Sequence, residues 1–337
     1  MPAALPPVQI SRLAACLQRV VHRCDVPARL SADPVGIVRQ IEGADDRELV
    51  ALLAAALAFG NVKTLRASIL DALSRLATPL AARLDDPVST RRALRGFRHR
   101  MIRDVDLGRL LVGARVVQRK HGSLGACFSH HLSRSRGELR SALAQWVVEV
   151  REEAGLRDCS RTSRRGPAHV LPNPHGTSGC KRLLLYLRWM VRADDGVDLG
   201  LWPTVPTSLL LVPVDTHILR LGVNLAMTDQ RSPTWRAAEQ ITHVLRQIDP
   251  VDPVRFDFAL CHLGMVQRCP ESADPDRCLG CGIRDACRHW RPVSATAPVP
   301  RAARPEVRPL PTAMVPGSPG SVQEPGKVPT TPAFSSR

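Results

Sequence analysis

Apolar residues recur at helical spacing through most of this chain while period-two alternation is nearly absent, and that restricts it to an all-α architecture. Residues 45–57, 65–76, 106–117, 139–150, 181–191 and 235–247 each carry the pattern, with Gly and Pro clusters between them. The first of these is apolar nearly all round, so it reads as a core helix, with Asp45 and Asp46 as candidate caps. The run VPTSLLLVPVD at 205–215 departs from helical spacing and is expected as a short extended segment or a buried loop. A chain of 337 residues is long enough for two compact lobes with a sizeable core. No repeat with a period of 20 to 50 residues is evident.

Two stretches fall outside this pattern. From Arg291 onward 11 of 47 residues are proline and almost none are aromatic, so residues 292–337 read as a disordered tail. The arginine-rich stretch 151–170 reads as an exposed linker or inserted loop. The chain holds 47 Lys and Arg against 31 Asp and Glu, a formal charge of +16 that favours polyanionic partners such as nucleic acid. Arginines are scattered rather than blocked, so a general compositional bias is the alternative source of that charge. Even the apolar run LLAAALAF is bounded by Glu48 and Lys63, short of the roughly 18 residues a membrane helix requires. With no secretory signal at its start, the protein is expected to be soluble and cytoplasmic, with reduced cysteines and no membrane partner.

Cys269, Cys278, Cys281 and Cys287 run C-x8-C-x2-C-x5-C within nineteen residues. Four thiolates from one short loop and the preceding helix end suit the corners of a [4Fe-4S] cluster. Zinc also accepts four thiolates, but zinc ribbons usually offer two C-x2-C hooks and only one is present, between Cys278 and Cys281. Disulfides and a chance cluster of thiols are the remaining readings.

The cysteine loop, VDTH at 214–217 and GCK at 179–181 together resemble the helix-hairpin-helix base-excision DNA glycosylase superfamily, endonuclease III in particular. There, a lysine closes a glycine-rich hairpin, an aspartate opens a later helix within V-D-T-H, and a C-x6-C-x2-C-x5-C loop ends the domain. The order here is the same. ALLAAALAFGN resembles the family's early core helix and DNA-facing turn, and GFRHR followed by a helix and KHGSL resembles its middle segment. The resemblance covers about residues 33–290, leaving 1–32 as an N-terminal helical extension. The string CKRLLLYLRWMVRADDGVDLGLW also resembles an uncharacterised bacterial branch of the superfamily without an assigned function. Three features depart from endonuclease III. The first cysteine gap is eight rather than six, PHGTSGCK replaces L-P-G-V-G, and 34 positions separate Lys181 from Asp215, implying an excursion at 193–208. Archaeal relatives acting on oxidised guanine also have a long interval.

The resemblance implies a two-lobed glycosylase-like fold and excision of a damaged base from double-stranded DNA by a monomeric, nucleoid-associated protein. It places catalysis on Lys181 and Asp215. Lys181 would be the amine nucleophile, freed of its proton by burial and by cations such as Arg182, and able to form a Schiff base with AP lyase activity. Asp215 would stabilise the sugar cation and accept a proton. By residue type alone, Lys181 is equally an exposed lysine or phosphate contact, and Asp215 an N-cap. Gly176, Ser178 and Gly179 would let hairpin amides approach a phosphate, with Arg182 beside them. The cluster's implied role is to hold a basic loop against DNA. His217 reads as structural, and Cys180 as a small buried apolar residue. Trp189, Trp202 and Trp235 read as core or hinge residues. Asp194, Asp195 and Asp198 read as an ordinary turn, with a divalent-metal site as the alternative. Two other functional classes stay open, a non-catalytic DNA- or RNA-binding iron–sulfur protein of the same fold and a zinc-stabilised interaction protein.

Overall fold

The computed structural model describes residues 5–156 and 165–290. The proposed tail at 292–337 and the centre of the arginine-rich stretch, 157–164, lie outside the described residues. The described chain is almost wholly helical. Helices α1 Pro7–His22, α2 Val26–Ala32, α3 Val35–Val38, α4 Ala44–Leu57, α5 Val62–Leu76, α6 Leu80–Leu84 and α7 Pro87–Ala93 precede a two-residue hairpin, β1 Arg98–His99 paired antiparallel with β2 Ile102–Arg103. There follow α8 Asp104–His121, α9 Leu124–Arg134, α10 Leu139–Glu153, α11 Arg165–Val170, α12 Lys181–Val191, α13 Thr216–Asn224, α14 Trp235–Ile248 and α15 Asp257–Gln267. Among the described residues no helix is long and apolar enough to cross a membrane.

Helix α4 sits at the centre. Eleven of its residues are buried, and it packs against α3, α5, α6, α8 and α12. Its leucines at 49, 52, 53 and 57 are each at most 2% exposed, worth up to about 2 kcal/mol apiece relative to exposure. Its N-cap is Gly43 at φ 78°, not an aspartate. Asp46 instead points across to α6, where its carboxylate accepts both the Leu80 and Ala81 amides at 2.7 Å. Glu48 does the same for α9, accepting the Leu124 amide at 2.9 Å and the Gly125 amide at 3.0 Å. These two carboxylates satisfy helix-start donors that would otherwise be buried unpaired.

Packing sorts the described helices into two groups within one compact unit. In one, α8, α9 and α10 pack on each other and α4 joins α8 to α12. In the other, α1 packs on α14, α15 and the 3-10 turn Arg284–Ala286, while α13 packs on α15. Of the stretch expected as an exposed loop, residues 151–153 instead complete α10, 154–156 form the turn that follows it, and 165–170 form α11, which packs on α8 and β2. The reason is apolar residues the arginines obscured: Ala154, Leu156, Val170 and Leu171 are all buried.

The excursion after α12 folds back onto that helix, with Leu199 N–H donating to the Trp189 carbonyl and Trp202 N–H to that of Met190, both at 2.8 Å. Trp202 is 2% exposed, stacks with Phe128, and donates its indole N–H to Glu48 at 2.5 Å. Trp189, Trp202 and Trp235 are all core residues. VPTSLLLVPVD forms a 3-10 turn at Thr207–Leu209 and then an extended buried passage into α13.

Candidate functional site

Lys181 is the first residue of α12 and Asp215 the N-cap of α13, so two helix starts face one another. Lys181 Nζ lies 3.1 Å from Asp215 Oδ2, with side chains 33% and 18% exposed. The other oxygen of Asp215 caps its helix, accepting the His217 and Ile218 amides at 2.9 Å. Capping and pairing thus use different atoms of one carboxylate. Burial pushes the Asp215 carboxyl up, but the Lys181 ammonium and the capping amide outweigh it and hold it below the ordinary carboxylate range. Burial likewise depresses Lys181, yet the charge and hydrogen bond of Asp215, with Cys261 and Asp257, together outweigh it and raise the amine above its usual value. The expectation of a neutral Lys181 is therefore corrected: with Asp215 in contact, the resting pair is ionic. The half-buried thiol of Cys261 on α15 borders the pair, raised by loss of water and by the negative charge of Asp215.

Arg182 does not act on Lys181 or face solvent as a phosphate contact. Its guanidinium donates to the Ala56 carbonyl at 2.6 Å and to the His169 carbonyl, and lies over the Phe59 ring at 5.1 Å. It ties the end of α4 to α11. The ring of Phe59 also meets His99 and His169 edge-on. Burial, reinforced by Arg182 and His99, lowers His169 to about 4.

The hairpin before α12 is a tight turn. Gly176 N–H donates to the Asn173 carbonyl at 3.0 Å, and Cys180 N–H to the Ser178 hydroxyl at 3.1 Å. Cys180 is buried at φ 50°, ψ 31°, a left-handed conformation that costs a non-glycine residue of order 1 kcal/mol. Gly179 is required by close approach, because a Cβ there would lie 2.4 Å from the Pro233 carbonyl oxygen. That contact sets the turn beside the N-terminus of α14. A groove of about 630 Å³ runs along this seam, lined by Arg140, Gly176, Thr177, Trp235 and Arg236 among others. Arg140 spans it, over the Trp235 ring at 5.2 Å and donating to the Pro174 carbonyl.

The DDGVD segment is a turn held by charge rather than a cation cage. Asp194 and Asp195 accept amides of Gly196 and of Val197 and Asp198, and all three aspartates pair with arginines. Asp194 meets Arg39 at 2.9 Å, and Asp195 meets Arg192 at 2.8 Å. Asp198 meets both Arg188, at 3.1 Å, and Arg192. Arg188 also reaches Asp257 at the start of α15, at 2.5 Å. His217 is half-buried against α15, where a Cβ on Gly264 would lie 3.1 Å from its own.

Beyond α15, the cysteine loop is closed at its base by a residue the sequence did not single out. Asn224, 2% exposed at the end of α13, donates to the Cys269 sulfur at 3.2 Å and to the Pro270 carbonyl at 2.9 Å. Its side-chain oxygen meets His289 at 3.0 Å, and its carbonyl accepts the Arg288 amide at 2.8 Å. One asparagine thus holds both ends of the loop. Burial raises the Cys269 thiol, and Cys287, Cys281 and Cys278 are near enough to raise it further by charge repulsion. Gly282 lets the loop lie on α1, within 2.9 Å of Val20 by the position of a Cβ.

A family model described as a protein of unknown function, DUF2400, matches residues 33–266. The match takes in Lys181 and Asp215 and ends just before Cys269. No curated protein and no solved structure matches the chain. Spanning more than two thirds of its length, the match places this chain in the DUF2400 family.

Proposed function

We propose that the protein is a base-excision DNA glycosylase of the helix-hairpin-helix type, with Lys181 and Asp215 as its catalytic pair. The observation that carries this reading is their direct contact at 3.1 Å, with Lys181 entered through a tight glycine-containing turn. The two-group packing of the helices and the basic net charge fit a cleft that takes a polyanion.

The chemistry follows from the pair. At rest both members are charged. DNA closing over them removes water, which disfavours both charges and lets the ammonium proton pass to the Asp215 oxygen it already faces. The freed amine lone pair then forms a bond to the sugar C1′ as the glycosidic bond breaks, and the base departs with the electron pair of that bond and the proton that Asp215 had taken. Transfer of a proton from the C1′-bound amine to the ring oxygen opens the sugar to a Schiff base on Lys181, from which loss of a C2′ proton breaks the 3′ carbon–oxygen bond and the 3′ phosphate leaves with its electron pair. Asp215 returned to its carboxylate stabilises positive charge on the sugar.

Cys269, Cys278, Cys281 and Cys287 would hold a [4Fe-4S] cluster. One feature supports the fit. The thiols share one neighbourhood, near enough for Cys287, Cys281 and Cys278 to act on Cys269 by charge, as four ligands of one centre require. Arg268, Arg277, Arg284 and Arg288 lie on or beside the loop but are matched in number by Glu271, Asp274, Asp276 and Asp285, so a cluster there would hold the loop's fold rather than present a basic surface.

The test is borohydride reduction during incubation with duplex DNA carrying damaged bases or abasic sites. The native protein becomes covalently attached, and Lys181→Ala does not. Base release without an adduct would instead assign attack to a water directed by Asp215. One observation favours the second reading, a non-catalytic DNA- or RNA-binding protein: Lys181 is engaged in an ion pair with Asp215 rather than free. That reading predicts duplex binding with neither adduct nor base release.

A further inference from the structure

A second constellation of ligand-bearing side chains lies where the end of α8, one face of α9 and the middle of α10 meet. His121 ends α8, and Cys127 and His131 stand four residues apart on α9 and so share a face. Glu149 comes from α10. His121 Nε2 lies 2.8 Å from Glu149 Oε1, His131 Nε2 lies 2.7 Å from Glu149 Oε2, and Cys127 Sγ lies 3.5 Å from that same oxygen. The ligand atoms of His121, Cys127 and Glu149 all lie within 4.8 Å of one another, and among the described residues no other trio of His, Cys, Asp or Glu is so grouped.

An ion-pair network explains these contacts incompletely. One carboxylate faces two imidazoles, the Lys120 ammonium at 2.6 Å and a thiol. Cys127 is fully buried against that carboxylate, and burial together with Glu149 pushes its thiol far up.

We propose that His121, Cys127, His131 and Glu149 bind a divalent transition-metal ion of the zinc class. Two imidazoles, a thiolate and a carboxylate are the nitrogen, sulfur and oxygen donors such ions select. Donors around a tetrahedral zinc stand roughly 3.3 to 3.8 Å apart, so the His121, Cys127 and Glu149 atoms, all within 4.8 Å of one another, need shifts of about 1 Å, while His131, outside that trio, turns in from the Glu149 oxygen it meets at 2.7 Å. The ion's charge reverses the local bias on Cys127: its proton leaves to solvent and the thiolate becomes a ligand. Lys120, 55% exposed, swings out to water when the ion takes over the Glu149 charge. A cavity of about 680 Å³ beside the cluster, lined also by His130, Asn173 and His175, supplies the entry path. An ion here would staple three helices together, and the site stands independently of the base-excision reading.

The test is titration of metal-free full-length protein with Co²⁺, read by absorbance, followed by competition with Zn²⁺. One equivalent is expected to show four-coordinate cobalt bands together with a thiolate-to-cobalt band in the near ultraviolet. Cys127→Ser removes the thiolate band of that equivalent and weakens binding by at least about 100-fold, and His131→Asn weakens it by about tenfold or more. Any signal from the 269–287 thiols persists in both variants and is thereby separated. Should Cys127→Ser fail to fold, His131→Asn decides alone. Native stoichiometry and affinity retained in the folded variants would reduce the cluster to an ion-pair network and overturn the proposal.

Discussion

Asp215 performs two tasks with two oxygens, and substitution separates them. Asparagine is as good an N-cap as aspartate, so Asp215→Asn keeps the bonds to the His217 and Ile218 amides and loses only the charge facing Lys181. Exposures of 33% and 18% place the pair between a surface ion pair, worth up to about 1 kcal/mol, and a buried one, whose disruption costs about 3 to 5 kcal/mol. Asp215→Asn should therefore cost about 1 to 2 kcal/mol. Asp215→Ala loses the cap as well, about 1 kcal/mol more. The sign with pH follows from the depressed carboxyl. Its contribution is fully present above the unfolded value of 3.8 and is lost as pH falls through the lower folded value. Both variants should lose that acid-side dependence. With its counter-charge removed, Lys181 is left with burial, and its amine shifts down. Urea denaturation of the three proteins, with titration of the lysine amine by NMR, measures each part. Equal stabilities for the Asn and Ala variants would refute the separation of cap from pair, and an unmoved Lys181 would refute the assigned cause of its protonation.

Other expectations follow from particular residues. Glu48→Gln leaves two of four donors, among the Leu124 and Gly125 amides, Gln118 and Trp202, facing an amide NH₂, and should cost about 2 to 6 kcal/mol by chemical denaturation. His169, lowered to about 4 from 6.5, should make native stability fall as pH drops from about 6.5 toward 4, by up to about 3 kcal/mol, a dependence His169→Phe should remove. Gly179→Ala forces the hairpin away from Pro233 and should lower both melting temperature and duplex affinity, the first by the equivalent of about 1 to 3 kcal/mol. Anaerobically purified protein should hold about four irons with a broad visible band, and Cys278→Ser or Asn224→Leu should lower that content.

Much of this was legible in the chain because apolar period reports directly on local structure. Helix α12 begins and ends at the residues its pattern marks, and α4, α10 and α14 differ from theirs by three residues or fewer at either end. The Lys181–Asp215 contact came from ordered motifs 34 positions apart, which periodicity could not have joined. What escaped was side-chain direction over long separations. Asp46 reads as a local cap, yet its partners are 34 and 35 residues away. Nothing near Glu48 announces that it receives amides of α9, 76 and 77 residues on, or the Trp202 indole, 154 residues on. Arg182 looks like a phosphate contact because it follows Lys181, but the adjoining helix position turns it inward to two carbonyls. Asn224 carried no motif, and His121, Cys127, His131 and Glu149 become neighbours only when three helices pack.

The most direct test of the central claim is base release from duplex DNA carrying a panel of damaged bases, comparing the native protein with Asp215→Asn. The account predicts release of at least one class of damaged base, with the variant slower by about 10² to 10⁴-fold although folded and DNA-bound. No release from any duplex the protein binds, or release unchanged in Asp215→Asn, would contradict it.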